Sequence, residues 1–310
     1  MRLLIADPEH ARYADLLGDA EPSLQLHGSD DPAELARLAA HCPVWLGAPD
    51  LLAPLLRGGA RPQWVQSTWA GITPLLAADL PRDYRLSRAV GVFGQAMAEY
   101  VLTYLLAHER QVLSRAALQG EGRWDTRTPH GLGGRRALIV GAGDIGQAVA
   151  RLLAPFGIEL RGIARQPRAL EPFLEVAGID QLERLAAQAD YLINLLPNTP
   201  DTGDIYDAGL FARLPCGALF INAGRGTAVV DADLVAALQG GQLAAAVIDV
   251  CREEPPAPDH PFWRAPNLLL TGHTAAPTPP RAMARLFLDN LARHRAAEPL
   301  LGQVDFARGY

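Results

Sequence analysis

Short apolar runs alternate with helix-spaced patterns over residues 1 to about 90: Leu3–Ala6, Ala11–Leu17, Leu24–Leu26, Pro32–Ala40, Val44–Leu46, Leu51–Leu56 and Trp64–Gln66. This alternation predicts βαβ units around a parallel sheet. Asp31-Pro32-Ala33-Glu34 reads as a helix start, with an acid at the N-cap, proline behind it and a glutamate in the first turn. From Gln95 to about Gln119, Met97, Tyr100, Val101, Tyr104, Leu105 and His108 recur at helical spacing. They predict one long helix that passes between domains or presents a dimer face. Glu99 and His108 on it read as helix-surface or core-edge residues. Gly120–Gly134, with five glycines, a proline and Trp124, reads as a loop.

The second half carries the sharpest pattern. Ala137–Val140 is a short apolar run suited to a strand buried on both faces, and Gly141, Gly143 and Gly146 follow it at G-x-G-x-x-G spacing before a helical stretch. The first glycine permits a tight turn, the second lets backbone approach a pyrophosphate, and the third lets helix and strand pack closely. This arrangement predicts dinucleotide binding at a helix N-terminus. A second strand, Gly157–Arg165, ends about twenty residues beyond the glycines. An acid there would bond the adenosine ribose, whereas Arg165, with Gln166 and Arg168 close by, matches a 2′-phosphate and predicts a preference for NADP, with two solvated loop arginines as the plain structural alternative.

Further strands are expected over Asp190–Pro197, Ala218–Gly226, Leu243–Val250 and Leu268–Thr271. Arg225, Glu254 and His273 then fall just beyond the ends of three successive parallel strands, where a doubly wound sheet builds its site. Singly, each has a plain structural alternative: an ion pair for Arg225, an exposed loop charge for Glu254, a helix cap for His273. Their joint placement downstream of the glycines favours chemistry. Ser67–Ile72, including Trp69, Ala70 and Gly71, follows the strand at Trp64–Gln66 and occupies the equivalent place in the first half.

Composition narrows this picture. The chain has 310 residues, 49% of them apolar and 20% charged, which allows two domains that each bury a core. A net charge of −6 offers no basic footprint for nucleic acid. Cys42, Cys216 and Cys251 are widely spaced and form no metal-spaced cluster, so no metal site is expected. Met1-Arg2 runs straight into Leu3-Leu4-Ile5, without the charged and apolar regions of a signal peptide, and no apolar run approaches a membrane span. A cytoplasmic protein is expected. All 28 basic residues are arginine, which excludes chemistry that needs a Schiff-base or P-loop lysine.

The chain resembles the D-2-hydroxyacid dehydrogenase family, and within it the glyoxylate/hydroxypyruvate reductase type. The resemblance rests on Gly141–Gly146, Leu195-Leu-Pro-Asn-Thr-Pro-Asp-Thr202, Ile221-Asn-Ala-Gly-Arg-Gly226, Asp249-Val250 with Glu254-Pro255, Asp259-His-Pro-Phe-Trp263 and Thr271-Gly-His-Thr-Ala-Ala276. Met97-Ala98-Glu99-Tyr100 extends it upstream. It implies two doubly wound parallel-sheet, Rossmann-like α/β domains. One is a flavodoxin-like substrate domain over 1–95, completed by 282–310, and the other is a dinucleotide-binding domain over 96–281. It implies cofactor contacts at Gly141, Gly143, Asp144, Ile145, Gly146, Arg165, Arg168, Pro197, Thr202, Ala223 and Asp249, with NADP(H) preferred and NAD(H) possible. It also implies a homodimer.

The activity so implied is reduction of a small 2-oxo acid to the D-2-hydroxy acid. Arg225 would clamp the carboxylate as a planar fork, aided by the backbone amides of Ala70 and Gly71, and His273 would give its proton to the developing alkoxide. Glu254 would orient the imidazole and stabilise its charged form, and Asp249 would meet the nicotinamide carboxamide. Two departures stand out: Gly272 where the family often has proline, expected to loosen the loop holding His273, and Trp69 where it often has glycine, expected to narrow the pocket. Two alternatives stay open. One is a dinucleotide-sensing, corepressor-like binding protein on the same fold; the other is a formate- or phosphite-type dehydrogenase.

Overall fold

The computed structural model describes residues 1–309 as two compact units, residues 1–92 with 278–309 and residues 93–277. In the first unit the chain runs β1 (Arg2–Ala6), α1 (His10–Ala20), β2 (Gln25–Ser29), α2 (Pro32–Ala39), β3 (Val44–Gly47), α3 (Pro49–Arg57), β4 (Trp64–Ser67) and β5 (Arg85–Ser87). The five strands are parallel and ordered β2-β1-β3-β4-β5, a doubly wound sheet that reverses between β1 and β3. Leu3–Ala6 and Val44–Leu46 are buried on both faces, which is why they read as unbroken apolar runs. Asp31 caps α2 by accepting the Glu34 amide at 2.8 Å, as its sequence predicts.

The second unit contains α4 (Gly94–Glu109), α5 (Val112–Gly120), β6 (Arg136–Val140), α6 (Asp144–Leu153), β7 (Glu159–Ile163), β8 (Glu175–Ala177), α7 (Leu182–Ala186), β9 (Tyr191–Asn194), α8 (Ala208–Arg213), β10 (Ala218–Asn222), α9 (Asp231–Gln239), β11 (Leu243–Ile248) and β12 (Leu268–Leu270). Its seven parallel strands are ordered β12-β11-β10-β9-β6-β7-β8 and reverse between β6 and β9. Separate apolar cores cover the two faces of this sheet. The chain then returns to the first unit as α10 (Pro280–Arg295), where Phe287 stacks on Trp64 at 5.1 Å and buried Asn290 donates to Gln66 at 2.8 Å.

Two sequence expectations shift. The units part at 92/93 and 277/278, slightly ahead of the 95/96 and 281/282 boundaries, because α4 begins at Gly94 and α10 at Pro280. The single long helix over Gln95–Gln119 is two helices. Buried Glu109 turns inward to accept from Tyr191 at 2.6 Å and Arg135 at 2.9 Å, and Gln111 then takes a left-handed φ of 55°. Beyond that break α5 buries none of its residues.

Candidate active site

Register fixes the site. Val140, Asn194, Asn222, Ile248 and Leu270 are aligned partners across β6, β9, β10, β11 and β12, so five strands end along one line. The residues that follow them, Gly141, Leu195, Ala223, Asp249 and Thr271, therefore begin five neighbouring loops. This is the carboxyl edge at which doubly wound sheets bind ligands.

Gly141 takes φ +112°, and a Cβ there would lie 2.9 Å from the Leu195 carbonyl. A Cβ at Gly146 would lie 2.2 Å from the Gly141 oxygen, so the turn and the close helix both need glycine. A Cβ at Gly143 would meet nothing within 4 Å. That side of the loop is open to an approaching group, and Asp144 and Ile145 start α6 there with the helix N-terminus facing outward. Arg168 and Arg165 are exposed beyond β7, and Arg168 donates to the Ala142 carbonyl at 2.8 Å, against the glycine loop. β7 ends at Ile163, two residues before Arg165. These residues fit a dinucleotide that carries an extra phosphate.

Two asparagines that the sequence did not single out hold the middle of the edge. Fully buried Asn194 and Asn222 are paired through an amide donation at 2.8 Å. Asn194 also accepts from Leu196 N–H and Tyr206 O–H, at 3.0 Å each. Asn222 accepts from Gly224 N–H and donates to the Arg225 carbonyl, both at 3.2 Å. The loops carrying Pro197 and Thr202, and Ala223 and Arg225, are thus fixed from one pair. Thr202 in turn donates to the Pro197 carbonyl at 2.8 Å. The signal was a shared pattern: Leu192-Ile193-Asn194 and Phe220-Ile221-Asn222 each set an amide directly behind apolar strand residues.

Arg225 is flanked by Gly224 and Gly226, where added Cβ atoms would lie 2.8 Å from Asn194 or Leu196 and 1.9 Å from Cys251. Among the described residues its guanidinium has one acceptor, the Gly224 carbonyl at 2.6 Å. Burial pulls its pKa below the ordinary arginine value, opposed by the charge of nearby Glu254. A largely buried cation of this kind is suited to an anionic ligand.

Glu254 and His273 meet directly. His273 Nδ1 lies 2.7 Å from Glu254 Oε2, while Glu254 Oε1 accepts the Cys251 amide at 2.9 Å. The imidazole is half-exposed and its Nε2 has no partner among the described residues. His273 holds φ +59° and Gly272 φ +73°, a value closed to proline. The loop is not loosened by its glycine, because Asp249 pins it. The Asp249 carbonyl accepts His273 N–H at 2.6 Å, Oδ1 accepts Thr271 Oγ1–H at 2.6 Å and Thr274 N–H at 2.8 Å, and Oδ2 accepts Ala275 N–H at 3.1 Å.

In the first unit, Ser67–Gly71 lies at the carboxyl end of β4. Ser67 Oγ accepts the Trp69 amide at 3.0 Å, and Thr68 Oγ1 donates to buried Asp7 at 2.9 Å. Trp69 is 40% exposed and so is not a core aromatic, whereas Trp45 is fully buried. Among the described residues no cluster of His, Cys, Asp or Glu is arranged to hold a metal ion, and no helix is long and apolar enough to cross a membrane.

Residues 102–275 match the family model for the D-isomer specific 2-hydroxyacid dehydrogenase, NAD binding domain. Over 290 residues the chain is 36% identical to glyoxylate/hydroxypyruvate reductase A of Serratia proteamaculans, covering 91% of this chain and 90% of that protein. A crystal structure of a D-isomer specific 2-hydroxyacid dehydrogenase family protein from Aeromonas salmonicida is similar with a TM-score of 0.93 at 36% identity, over 98% of this chain and 99% of that one. An NADPH-dependent glyoxylate/hydroxypyruvate reductase from Sinorhizobium meliloti, solved with NADP and sulfate, is similar with a TM-score of 0.87 at 31% identity, over 100% and 99% of the chains.

Proposed function

Since the chain belongs to the D-isomer specific 2-hydroxyacid dehydrogenase family, we propose that it reduces a small 2-oxo acid of the glyoxylate or hydroxypyruvate class to the D-2-hydroxy acid, drawing on NADPH in preference to NADH. The observation that carries the reading is the 2.7 Å bond between Glu254 and His273, set beyond the sheet edge that also presents the half-buried Arg225.

When bound, the nicotinamide supplies the hydride. Gly141, Gly143, Asp144, Ile145 and Gly146 would hold the pyrophosphate at the N-terminus of α6, and Arg165 and Arg168 would take the 2′-phosphate. Pro197, Thr202 and Ala223 would contact the cofactor on the loops after β9 and β10. Asp249 spends three of roughly four carboxylate acceptor positions on its own loop, which leaves one on Oδ2 for the carboxamide. The NADP bound by the Sinorhizobium meliloti relative supports the cofactor choice.

Arg225 grips the substrate carboxylate through its free guanidinium edge. In the first unit, Trp69, Ala70 and Gly71 at the carboxyl end of β4 keep the substrate-binding role that the resemblance implies. Glu254 fixes the imidazole by Nδ1, so Nε2–H is the proton delivered to the carbonyl oxygen as negative charge develops there.

The working form is a homodimer in this reading, supported by the unpacked α5 and by Val112, Leu113 and the 92% exposed Trp124 on and beyond it. A cytoplasmic location accords with three unpaired cysteines.

The test is reduced-nicotinamide absorbance with glyoxylate, hydroxypyruvate and phenylpyruvate in turn, first with NADPH and then with NADH. Oxidation of NADPH by a small 2-oxo acid is expected. Measured NADPH binding without turnover on any of the three would overturn the enzyme reading in favour of a dinucleotide sensor.

A further inference from the structure

The His273 loop is tied to a helix that supplies none of the residues assigned above. Tyr100 Oη on α4 lies 2.9 Å from Thr271 Oγ1, and Thr271 Oγ1 lies 2.6 Å from Asp249 Oδ1. A threonine hydroxyl has one proton, and the short contact with a carboxylate oxygen is tenable only if that proton points to Asp249. Tyr100 must then donate to Thr271. Burial pushes the Tyr100 phenol well above its ordinary pKa, so it remains a donor throughout the working range. The direction of both bonds is set: Tyr100 to Thr271 to Asp249.

Tyr100 is itself held firmly. Its ring meets Tyr104 edge-on at 4.7 Å, and α4 packs so closely on α6 that a Cβ at Gly94 would lie 2.6 Å from the Ala148 Cβ. The helix beneath the glycine loop therefore also fixes the hydroxyl that orients Asp249. Asp249 in turn holds the amides of Thr274 and Ala275 and, through its carbonyl, that of His273. His273 needs such restraint, since a left-handed φ is unfavourable for a non-glycine residue unless its surroundings impose it.

We infer that Tyr100 is a positioning residue for the reduction: its hydroxyl locks Thr271 onto Asp249 and so holds the loop that presents His273 to the substrate. This rests on the functional reading above for its kinetic consequence, though not for its structural one.

The experiment compares the full-length protein with Tyr100→Phe, Thr271→Val and the double variant, with Thr271→Ser as the conservative control. In the cofactor-free protein, amide hydrogen exchange at Thr274 and Ala275 is expected to quicken about tenfold in Tyr100→Phe and in Thr271→Val, and to stay near the wild-type rate in Thr271→Ser. With NADPH and a small 2-oxo acid, kcat is expected to fall about tenfold in Tyr100→Phe while the KM for NADPH holds. The double variant should be no slower than Thr271→Val alone, because both changes break one chain of bonds. Unchanged exchange in Tyr100→Phe, or kinetic losses that multiply in the double variant, would overturn the inference. If the wild type turned over no 2-oxo acid yet the exchange effects appeared, the functional reading would fail and the Tyr100 assignment would stand. Should Tyr100→Phe not fold, exchange in Thr271→Val and Thr271→Ser decides the matter.

Discussion

Asn194 donates its side-chain amide to the Asn222 oxygen at 2.8 Å, and between them these two fully buried side chains fix the loops that follow β9 and β10. Asn222→Ala would strip the acceptor from the Asn194 amide and leave it unpaired in the interior. The expected cost is about 1–3 kcal/mol, read as a lower urea midpoint at unchanged m-value. Asn194→Ala should cost a similar amount, and the double variant less than the sum, because the second change removes a group already left unsatisfied.

Why this pair escaped the sequence reading follows from what periodicity records. Parallel strands buried on both faces appear as apolar runs, so β1, β3, β6, β9 and β10 were legible, as was the glycine turn after β6. An asparagine inside an expected strand such as Asp190–Pro197 or Ala218–Gly226 gives no sign that the strand ends there, and only its partner across the sheet reveals that it holds two loops. The placement of Arg225, Glu254 and His273 beyond strand ends was legible because each follows a recognisable strand, yet the anchoring of His273 by Asp249 and Thr271 depends on the register of β11 with β12. The break at Gln111 was hidden for a similar reason. Apolar spacing continues through Val112 and Leu113, while the inward turn of Glu109 towards Tyr191 and Arg135 is a tertiary matter. Gly272 read as a weakness and is instead the residue that its φ of +73° allows.

The Glu254–His273 bond gives a graded expectation. His273→Asn removes the proton donor and should lower kcat by about 10²- to 10⁴-fold, with the Kd for NADPH nearly unchanged. Glu254→Gln keeps a group of the same shape and should cost less, about ten- to a hundredfold, since the imidazole stays oriented while a carboxylate acceptor at Nδ1 is exchanged for a weaker amide one. Single-turnover rates together with NADPH binding titrations check both. Equal losses of binding and rate would mean that the pair maintains the fold of the loop.

At the opposite end of β9, Asp190 supplies a pH dependence. Burial works to raise its pKa, but the side-chain and backbone hydrogen bonds from Arg136, at 2.9 and 2.8 Å, outweigh this and hold the carboxyl below the ordinary value. An acid whose folded pKa is depressed contributes stability that is fully present above its unfolded value, about 3.9, and lost as pH falls through the folded one. Asp190→Asn should therefore be less stable than wild type at neutral pH, and the gap should shrink as pH drops below about 4. Thermal melts across pH 2.5–7 check this, in a range set by that unfolded value of about 3.9. A gap constant with pH would assign the loss to packing.

In the proposed reading, Arg168 tells NADPH from its unphosphorylated form. Its guanidinium already donates to the Ala142 carbonyl at 2.8 Å, so it is held against the glycine loop before any ligand arrives, and less ordering entropy remains to be lost on binding. A charge-assisted hydrogen bond to a phosphate contributes about 1.5–3 kcal/mol. Arg168→Ala should accordingly weaken NADPH binding about ten- to a hundredfold and leave NADH binding close to wild type. Fluorescence titrations with the two cofactors make the comparison. A parallel loss for both would mean that the bond to Ala142 shapes the glycine loop, and discrimination would then fall to Arg165 alone.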